Sequence, residues 1–304
     1  MTTRPLVIYH GNCADGFSAA WCFWRKYHHG ADYFAGVYQQ PPPDVTGRDV
    51  YLVDFSYKAA VVEQMLLHAN SVTLIDHHKT AIDDLAPLKA KWATDPGALD
   101  GDNFGWFCDL ERSGATLAWD YLFPDEARPL LLGHIEDRDL WRFKLPGTRE
   151  IQAVVFSHEY EFQKWDELMS ADQVGLLKMT AAGAAIERKH HKDVKELVKV
   201  CQRRMVIGGH DVPVASLPYT LVSDAAHAMA HGEPFAACYW DTAEGRHFGL
   251  RATDEGIDVS DIAKQYGGGG HAKAAGFTLK GLVQHLAAQF DGAIRPYLKR
   301  FLLD

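Results

Sequence analysis

The sequence predicts an α/β protein in which an N-terminal, doubly wound, mainly parallel sheet domain precedes a smaller C-terminal α/β domain. Through the first third of the chain, short apolar runs alternate with helical patterns, which is typical of a parallel sheet covered on both faces. A long helical pattern then leads into a second block of short strand-like runs. We expect the functional site to lie in the cleft between the two domains.

The N-terminal domain is expected to span residues 1–170. The segment 93–109, rich in Gly, Asp and Pro, predicts a loop. Ser113 and Asp125 are suitable N-caps for two of the predicted helices. The strands of this domain are predicted from three short apolar runs, 5–9 (PLVIY), 50–54 (VYLVD) and 72–76 (VTLID). Its helices are predicted at 16–29, 59–69, 113–123 and 125–135.

A helical connector is expected at 171–203 and the C-terminal domain at 204–304. The connector carries a basic run, RKHHK (188–192), which is more typical of a solvated helical face than of a nucleic-acid site. The elements predicted beyond it are strands at 205–207, 212–216, 235–240 and 246–252, a helix at 259–266, a glycine-rich segment running into a strand, and a final helix at 282–298.

The composition is that of an ordinary globular protein, with 304 residues of which 47% are hydrophobic and 23% charged. The net charge of -9 argues against binding to long duplex nucleic acid, for which a basic surface is usual. The sequence shows no secretory pattern at its start, no membrane-length apolar stretch and no CxxC pair among its five cysteines. We therefore expect a cytoplasmic protein without membrane partners, and the sequence leaves monomer and homodimer open.

Acidic and imidazole side chains follow three of the predicted strands. His10 and Asp15 follow the first, Asp54 ends the second, and Asp76, His77 and His78 end the third. Because ligands of an open parallel sheet bind at the carboxyl edge of the strands, we expect these side chains to converge. A single Asp after a strand is usually a turn or cap residue, but several such residues at one edge predict a shared site.

A fourth acidic cluster, GHIEDRDLWRF (133–143), adds Glu136, Asp137 and Asp139. Mixed carboxylate and imidazole ligands suit Mn, Fe or other divalent ions better than a structural zinc site. Two such ions can clamp a phosphoryl group and activate water, which predicts hydrolysis of a phosphate ester. Asp76 is expected to orient an imidazole, since ligating histidines usually have such a partner.

Five motifs make the chain similar to the DHH phosphoesterase family. LIDHH (74–78) contains the motif that names the family, and GGGGHAKAAGF (267–277) resembles the GGGGH-x-x-AAG signature of its associated C-terminal domain. The remaining three are YHGNCADG (9–16), VDFS (53–56) and the stretch around Asp137. The motifs occur in the family's order and span almost the whole chain.

This resemblance implies a centre of two divalent ions, most readily two Mn²⁺, with Mg²⁺ or another ion as the alternative. The implied ligands of one ion are Asp15, Asp54, His77 and Asp137, and those of the other are His10 and the shared Asp54. The implied catalytic residues are Asp76 and His78, with His78 near the phosphate. The sequence departs from the family at Cys13, where many members have Asp, and a thiolate ligand and a buried apolar Cys both remain open.

The resemblance also implies substrate contacts in the C-terminal domain. The implied contacts are Arg251, Gly268, Gly269, Gly270 and His271. Glycine lets backbone N–H groups approach phosphate oxygens, and arginine suits bidentate phosphate binding. In the N-terminal domain, Arg112 and Ser113 open a predicted helix and are either an anion site or a plain N-cap.

Several substrates are compatible with the family resemblance. The negative net charge of the chain and its two-domain length favour a short substrate. We expect hydrolysis of short oligoribonucleotides or linear dinucleotides to mononucleotides, that is, a nuclease-like phosphodiesterase. The alternatives are a phosphatase acting on adenosine 3′,5′-bisphosphate or a related small nucleotide, and a non-catalytic nucleotide-binding regulator. Trp106, Trp141 and Tyr266 are candidate base-stacking platforms, although most aromatic residues belong to the core.

Overall fold

The computed structural model describes residues 4–38, 40–92 and 103–280. The chain divides into two compact units between Lys189 and His190. The predicted α/β class is confirmed, with a parallel sheet in the first unit and a separate sheet in the second. The predicted final helix, 282–298, lies outside the described residues.

Five parallel strands form the sheet of the first unit. They are β1 (Leu6–His10), β2 (Asp32–Gly36), β3 (Asp49–Val53), β4 (Ser71–Asp76) and β5 (Phe104–Cys108). Their order across the sheet is β2-β1-β3-β4-β5, and every neighbouring pair is parallel. The carboxyl ends of β1, β3 and β4 therefore lie side by side at one edge.

Helices connect these strands and continue beyond them. They are α1 (Ala14–Tyr27), α2 (Ala59–His68), α3 (Lys79–Trp92), α4 (Gly114–Leu122), α5 (Leu130–Asp139), α6 (Thr148–Val155), α7 (Phe162–Met169) and α8 (Gln173–Cys201). The 29-residue α8 coincides with the expected connector, and the division between the two units falls within it.

Apolar side chains bury both faces of the parallel sheet. Val53 of β3 and Ile75 of β4 belong to one core cluster together with Trp21. Their neighbours Leu52 and Leu74 belong to the other cluster. Because adjacent side chains of a strand point to opposite faces, the two clusters are the two faces of a doubly wound sheet.

Two predicted elements of this unit need correction. The expected loop 93–109 ends in a strand, since Phe104–Cys108 pairs with β4 as β5, and its three aromatic residues suit a half-buried strand. The helix predicted from Asp125 begins instead at Leu130, directly after Pro129. A proline at 129 would interrupt a helix begun at 125, so the helix starts after it.

The second unit has a six-stranded, mostly antiparallel sheet. Its strands are β6 (Arg203–Ile207), β7 (His210–Ser216), β8 (Ala236–Thr242), β9 (Gly245–Arg251), β10 (Gly269–Gly270) and β11 (Ala274–Lys280). The order is β10-β11-β9-β8-β7-β6, and only β7 and β8 pair in parallel. Its helices within the described residues are the end of α8, α9 (Val222–Met229) and α10 (Val259–Gln265).

Candidate metal centre

The predicted site residues of the motifs YHGNCADG, VDFS and LIDHH converge at the carboxyl edge of the parallel sheet. His10 is the last residue of β1, Asp54 follows β3, and Asp76 ends β4. His77 comes directly after Asp76, and Asp15 lies in the first turn of α1. The parallel register of these strands thus gathers side chains that are up to 67 residues apart in sequence.

The buried imidazole of His77 is the centre of this cluster. Its Nε2 atom lies 3.0 Å from Oδ1 of Asp54, 3.7 Å from Oδ2 of Asp15 and 3.4 Å from Oδ2 of Asp139. Ligand atoms of Asp15, Asp54 and His77 all lie within 4.8 Å of one another. These three residues fit the first coordination shell of one cation.

A second group of ligand atoms shares Asp54 with the first. His10, Asp54 and His78 also offer atoms within 4.8 Å of one another. Nδ1 of His10 lies 3.5 Å from Oδ2 of Asp54, and Nδ1 of His78 lies 3.8 Å from its Oδ1. Asp54 belongs to both groups, with Oδ1 nearer His77 and His78 and Oδ2 nearer His10, so its carboxylate is the one that the two groups of ligand atoms share.

The electrostatics of the cluster favour a cation. Burial raises the pKa of Asp15 well above its usual range, and the charges of Asp54 and Asp139 raise it further. Burial also raises the pKa of Asp139; His77 opposes that rise and Asp54 adds to it. For Asp54, burial acts upward, but hydrogen bonds with His10 and His77 outweigh it and lower the pKa. Three carboxylates thus compete for imidazole partners, and a divalent ion would neutralise their repulsion.

The backbone at Asp54 has an uncommon conformation and a close neighbour. Its φ is +53°, a left-handed value that Asp tolerates better than most residues with a side chain. The N-terminus of α4 comes so close that a Cβ atom at Gly114 would lie 2.5 Å from Cβ of Asp54. Glycine at 114 is therefore required for the helix to reach the cluster.

Asp15 is held by the same helix terminus. Its Oδ2 accepts from the N–H of Gly114 at 2.6 Å, and its Oδ1 accepts from the N–H of Ala115 at 3.1 Å. Two first-turn amides, with the helix dipole behind them, favour a negative carboxylate at this position. The same contacts fix the orientation of Asp15 toward His77.

Asp76 orients the two histidines that follow it. Its buried Oδ1 accepts from the backbone N–H groups of His77 and His78 and from Nδ1 of His78, at 2.7, 3.2 and 2.7 Å. Asp76 therefore fixes the orientation of His78, and the catalytic roles of Asp76 and His78 stay predictions. The ring of His10 packs against Tyr38 and Phe55 and lies edge to face with that of His78.

The structure does not bring Asp137 into the cluster, and Asp139 stands there instead. The carboxylate of Asp137 accepts from the backbone N–H groups of Lys144 and Leu145 and from the Thr148 hydroxyl, at 2.8, 3.0 and 2.6 Å. The geometry therefore places Asp139, and not Asp137, beside His77, while the ligand roles stay predictions. The sequence DRD contains two acidic residues, Asp137 and Asp139. Only the rotation of α5 about its axis determines which of them faces His77.

Arg112 and Ser113 bind protein groups in the structure. Arg112 pairs with Asp120 at 3.0 Å and with Glu136 at 3.2 Å. Ser113 caps α4 by accepting from the N–H of Thr116. These contacts favour the plain N-cap interpretation over the anion site.

Cys13 lies beside His10 but belongs to neither ligand group of the first unit. Burial raises the pKa of its thiol, the charge of Asp54 raises it further, and a hydrogen bond with His10 opposes the rise. A raised thiol pKa disfavours the thiolate form that metals bind.

In the second unit, the glycine-rich segment forms a tight β-hairpin. Gly269 and Gly270 form β10 and pair with Gly276 and Ala275 of β11. A Cβ atom at Gly268 would lie 2.0 Å from the carbonyl oxygen of Gly276, and Gly270 has a φ of +139°, so both positions require glycine.

Two further predicted substrate residues lie close to this hairpin in the same sheet. The N–H of His271 donates to the carbonyl of Ala274 at 2.8 Å. Arg251 ends β9, which pairs with β11, and donates to the Ser223 hydroxyl at 2.8 Å. The roles of Arg251 and of the 268–271 segment in substrate binding remain predictions.

One comparison with known proteins identifies a domain in the C-terminal part of the chain. Residues 225–296 match the family model described as the DHHA1 domain. This match confirms the predicted resemblance to the DHH family with its associated C-terminal domain. Within the described residues, no helix combines the length and apolarity that crossing a membrane requires.

Similar chains and structures were also found. Uncharacterized protein R106 of Acanthamoeba polyphaga mimivirus is 28% identical over 302 residues, covering 91% of this chain and 68% of that protein. The pGpG-specific phosphodiesterase PggH of Vibrio cholerae aligns with 98% of this chain and 99% of its own at 15% identity and a TM-score of 0.45. RecJ of Thermus thermophilus, solved with Mn²⁺, aligns with 98% of this chain and 52% of its own at 14% identity and a TM-score of 0.47.

Proposed function

We propose that this chain, which carries a DHHA1 domain at 225–296, is a DHH family phosphoesterase, a hydrolase that depends on two divalent metal ions. Its proposed substrates are short oligoribonucleotides or linear dinucleotides, which it cleaves to mononucleotides. Mn²⁺ is the proposed ion. The shared position of Asp54 between two groups of ligand atoms is the observation that carries the proposal.

The proposed ligand set follows the geometry of the first unit. Asp15, Asp54, His77 and Asp139 would hold one ion, while His10 and the other oxygen of Asp54 would contribute to the second. Bound there, two divalent ions would supply Lewis-acid stabilisation of the phosphoryl oxygens and lower the pKa of water. The chain fixes the positions of these ligands. The first backbone N–H groups of α4 hold the carboxylate of Asp15, and the left-handed φ of Asp54 sets the direction of its side chain.

His78 is the proposed contact to the substrate phosphate. Asp76 accepts a hydrogen bond from its Nδ1 atom at 2.7 Å, which fixes the orientation of the ring. An imidazole placed in this way can stabilise charge as it develops on the phosphate, because its orientation is set before the substrate arrives. In the second unit, Arg251, Gly268, Gly269, Gly270 and His271 are the proposed substrate contacts.

The short substrate is proposed from charge and chemistry. The chain has a formal net charge of -9, and proteins that bind long duplexes usually present a basic surface. A short substrate needs only local positive charge, which bound metal ions provide. Long duplex nucleic acid and membranes are therefore not proposed as partners.

A substrate panel with Mn²⁺ present tests this proposal. The panel contains a 5′-phosphorylated diribonucleotide, a longer single-stranded RNA and adenosine 3′,5′-bisphosphate, with products separated by ion-exchange chromatography. Mononucleotides from the dinucleotide, with little cleavage of the longer RNA, are the expected result. Orthophosphate from the bisphosphate alone would make the protein a phosphatase, and tight nucleotide binding without any turnover would make it a regulator. Asp54→Asn protein and chelator-treated protein are the controls.

A further inference from the structure

Tyr38 lies at the same edge of the parallel sheet as the candidate metal centre. Strand β2 pairs with β1 in parallel, and their register sets Gly36 opposite His10. The N–H of Gly11 donates to the carbonyl of Gly36 at 2.9 Å, which keeps the two strand ends together. Tyr38 comes two residues after Gly36, so the chain that leaves β2 carries its side chain to the position beside His10.

Two side chains of the first unit hold the ring of Tyr38. It packs against Phe55 with ring centres 4.9 Å apart and lies edge to face with His10 at 5.2 Å. Phe55 is fully buried, and contacts between aromatic rings at these distances are attractive. A Cβ atom at Gly36 would lie 2.7 Å from the Phe55 ring, so glycine lets the end of β2 come close to Phe55. The fold itself therefore places the Tyr38 ring against a candidate ligand.

The hydroxyl of Tyr38 is available to a ligand. Tyr38 is 48% exposed, and across the residues that the structure describes its hydroxyl makes no hydrogen bond. Two other tyrosines differ in this respect. The hydroxyl of Tyr33 donates to the carbonyl of His28 at 3.1 Å, and that of Tyr266 accepts from the N–H of Gly208 at 2.9 Å. Tyr38 thus keeps a donor that the fold does not use.

The same hydroxyl is close to the charged groups of the candidate metal centre. Burial raises the pKa of Tyr38 well above its usual range, and the charges of Asp76 and Asp54 raise it further. Asp76 accepts from the ring of His78, and Asp54 lies beside His10. The phenol therefore points toward the candidate ligands, while the residue as a whole stays open to solvent.

A phenol at this position suits a phosphoryl oxygen. The group is a neutral O–H donor at physiological pH, so it does not compete with a divalent ion for the carboxylates of Asp15, Asp54 and Asp139. Donors that are fixed before the substrate binds stabilise the charge that develops in the transition state. The uncommitted hydroxyl beside His10 is a donor of this kind.

We propose that the Tyr38 hydroxyl donates a hydrogen bond to a phosphoryl oxygen of the substrate beside His10. This inference rests on the proposed function, which supplies the identity of the substrate. It adds Tyr38 to the substrate contacts of the first unit, next to His78, whose ring lies 6.0 Å from that of His10. Because every phosphate ester has phosphoryl oxygens, the contact favours phosphate and does not select among nucleosides.

Tyr38→Phe tests this contact, because it removes one oxygen and keeps the ring against Phe55 and His10. Inorganic phosphate is titrated in a calorimeter into the full-length protein saturated with Mn²⁺. We expect the variant to bind phosphate roughly tenfold more weakly, as for the loss of one hydrogen bond to a charged group. With the dinucleotide as substrate, kcat/KM should fall at least roughly tenfold. The affinity for Mn²⁺ in the absence of phosphate should not change.

Two further variants separate the hydroxyl from the ring. Tyr33→Phe is the matched control, because Tyr33 lies on β2 and its hydroxyl donates to a backbone carbonyl; this variant should bind phosphate as the wild type does. Tyr38→Leu removes the ring together with the hydroxyl, and Tyr38→Phe should account for most of its loss in phosphate affinity. Weak phosphate binding by Tyr38→Leu alone, with wild-type binding by Tyr38→Phe, would overturn the contact.

The outcomes distinguish this inference from the proposed function. Mn²⁺-dependent phosphate binding that weakens in Tyr38→Phe, without hydrolysis of any substrate, would support the contact and contradict the enzymatic proposal. Hydrolysis of dinucleotides with unchanged phosphate affinity and kcat/KM in Tyr38→Phe would support the enzyme and overturn the contact. Equal losses of Mn²⁺ and phosphate affinity would also overturn it, since the hydroxyl would then act on ion binding. A wild-type protein that binds no phosphate with Mn²⁺ present would contradict both proposals.

Discussion

Asp137 and Asp139, separated by one residue at the end of α5, direct their carboxylates to different neighbours. Asp139 faces the candidate metal centre, with Oδ2 at 3.4 Å from Nε2 of His77, whereas Asp137 accepts hydrogen bonds from the segment that follows the helix. One carboxylate therefore lies beside the candidate ligands, whereas the other holds the segment that follows α5. This difference can be measured.

Asp139→Asn should weaken metal binding without weakening the fold. Burial raises the pKa of Asp139, and the charge of Asp54 raises it further against the opposing effect of His77. A raised pKa means that ionisation of Asp139 costs stability at neutral pH. In the absence of metal, the variant should thus be at least as stable as the wild type in urea denaturation. Its Mn²⁺ affinity, measured by calorimetry, should fall at least roughly tenfold, as for loss of a close metal contact.

Asp137→Asn should show the opposite behaviour. The carboxylate loses its charge-assisted hydrogen bonds to the 144–145 amides, and such bonds contribute about 1.5–3 kcal/mol each. We expect the free energy of unfolding to fall by about 2 kcal/mol or more, with Mn²⁺ affinity retained in the folded fraction. Loss of metal binding with unchanged stability would return Asp137 to the ligand set.

The sequence predicted the edge of the sheet at which the candidate ligands gather, but not which acidic residue of α5 joins them. His10, Asp54 and Asp76 follow strands whose apolar runs are evident, so the topology of a parallel sheet brings them together without further information. Asp137 and Asp139 lie on a helix, where one residue changes the direction by about 100°. Their roles therefore depend on how α5 is packed, which the sequence alone does not specify.

Two strands that the sequence did not predict share a position in the parallel sheet. Strand β2 (DYFAG) and strand β5 (FGWFC) lie at the two edges of the parallel sheet. Most residues of these two strands are only partly buried, and both strands lack the Val, Ile and Leu residues that revealed the central strands. Trp141 and Phe143 have left-handed φ values of +55° and +47°. The sequence does not predict these values, because hydrogen bonds from the backbone N–H groups of residues 143–145 to Asp137 impose them.

Gly114→Ala should disturb both the fold and the site. A Cβ atom at this position would lie 2.5 Å from Cβ of Asp54, so α4 and the turn at Asp54 must separate. Overpacking of this kind costs about 1–3 kcal/mol, and we expect Mn²⁺ affinity to fall as well. Gly133→Ala on α5 is the matched control, because its Cβ meets only Leu145, at 3.6 Å. That control should be neutral or stabilise the protein by up to about 1 kcal/mol.

Glu136 should contribute a stability that disappears in acid. Burial acts to raise its pKa, but hydrogen bonds from Thr116 and Ser113 and the charge of Arg112 outweigh burial and lower it below its ordinary value of 4.5. A lowered pKa in the folded state stabilises the protein above the unfolded value, and this contribution is lost as pH falls through the folded value. Glu136→Gln should therefore be less stable than wild type at pH 7, and the difference should shrink below pH 4.5. A constant difference across this range would contradict the assignment.

Asp54→Asn should abolish turnover, because it removes the charge shared by both groups of ligand atoms. Asparagine is preferable to alanine here, since Asn accepts the left-handed φ of +53° better than Ala does. Elemental analysis after gel filtration should find fewer than one bound Mn²⁺ per chain, against about two for the wild type. Asp76→Asn is the comparison variant: the Asn side-chain oxygen can still accept from the backbone N–H groups of His77 and His78, but the contact with Nδ1 of His78 loses its charge. This variant should retain metal while lowering kcat. Near-normal hydrolysis by Asp54→Asn would exclude a bridging role for Asp54.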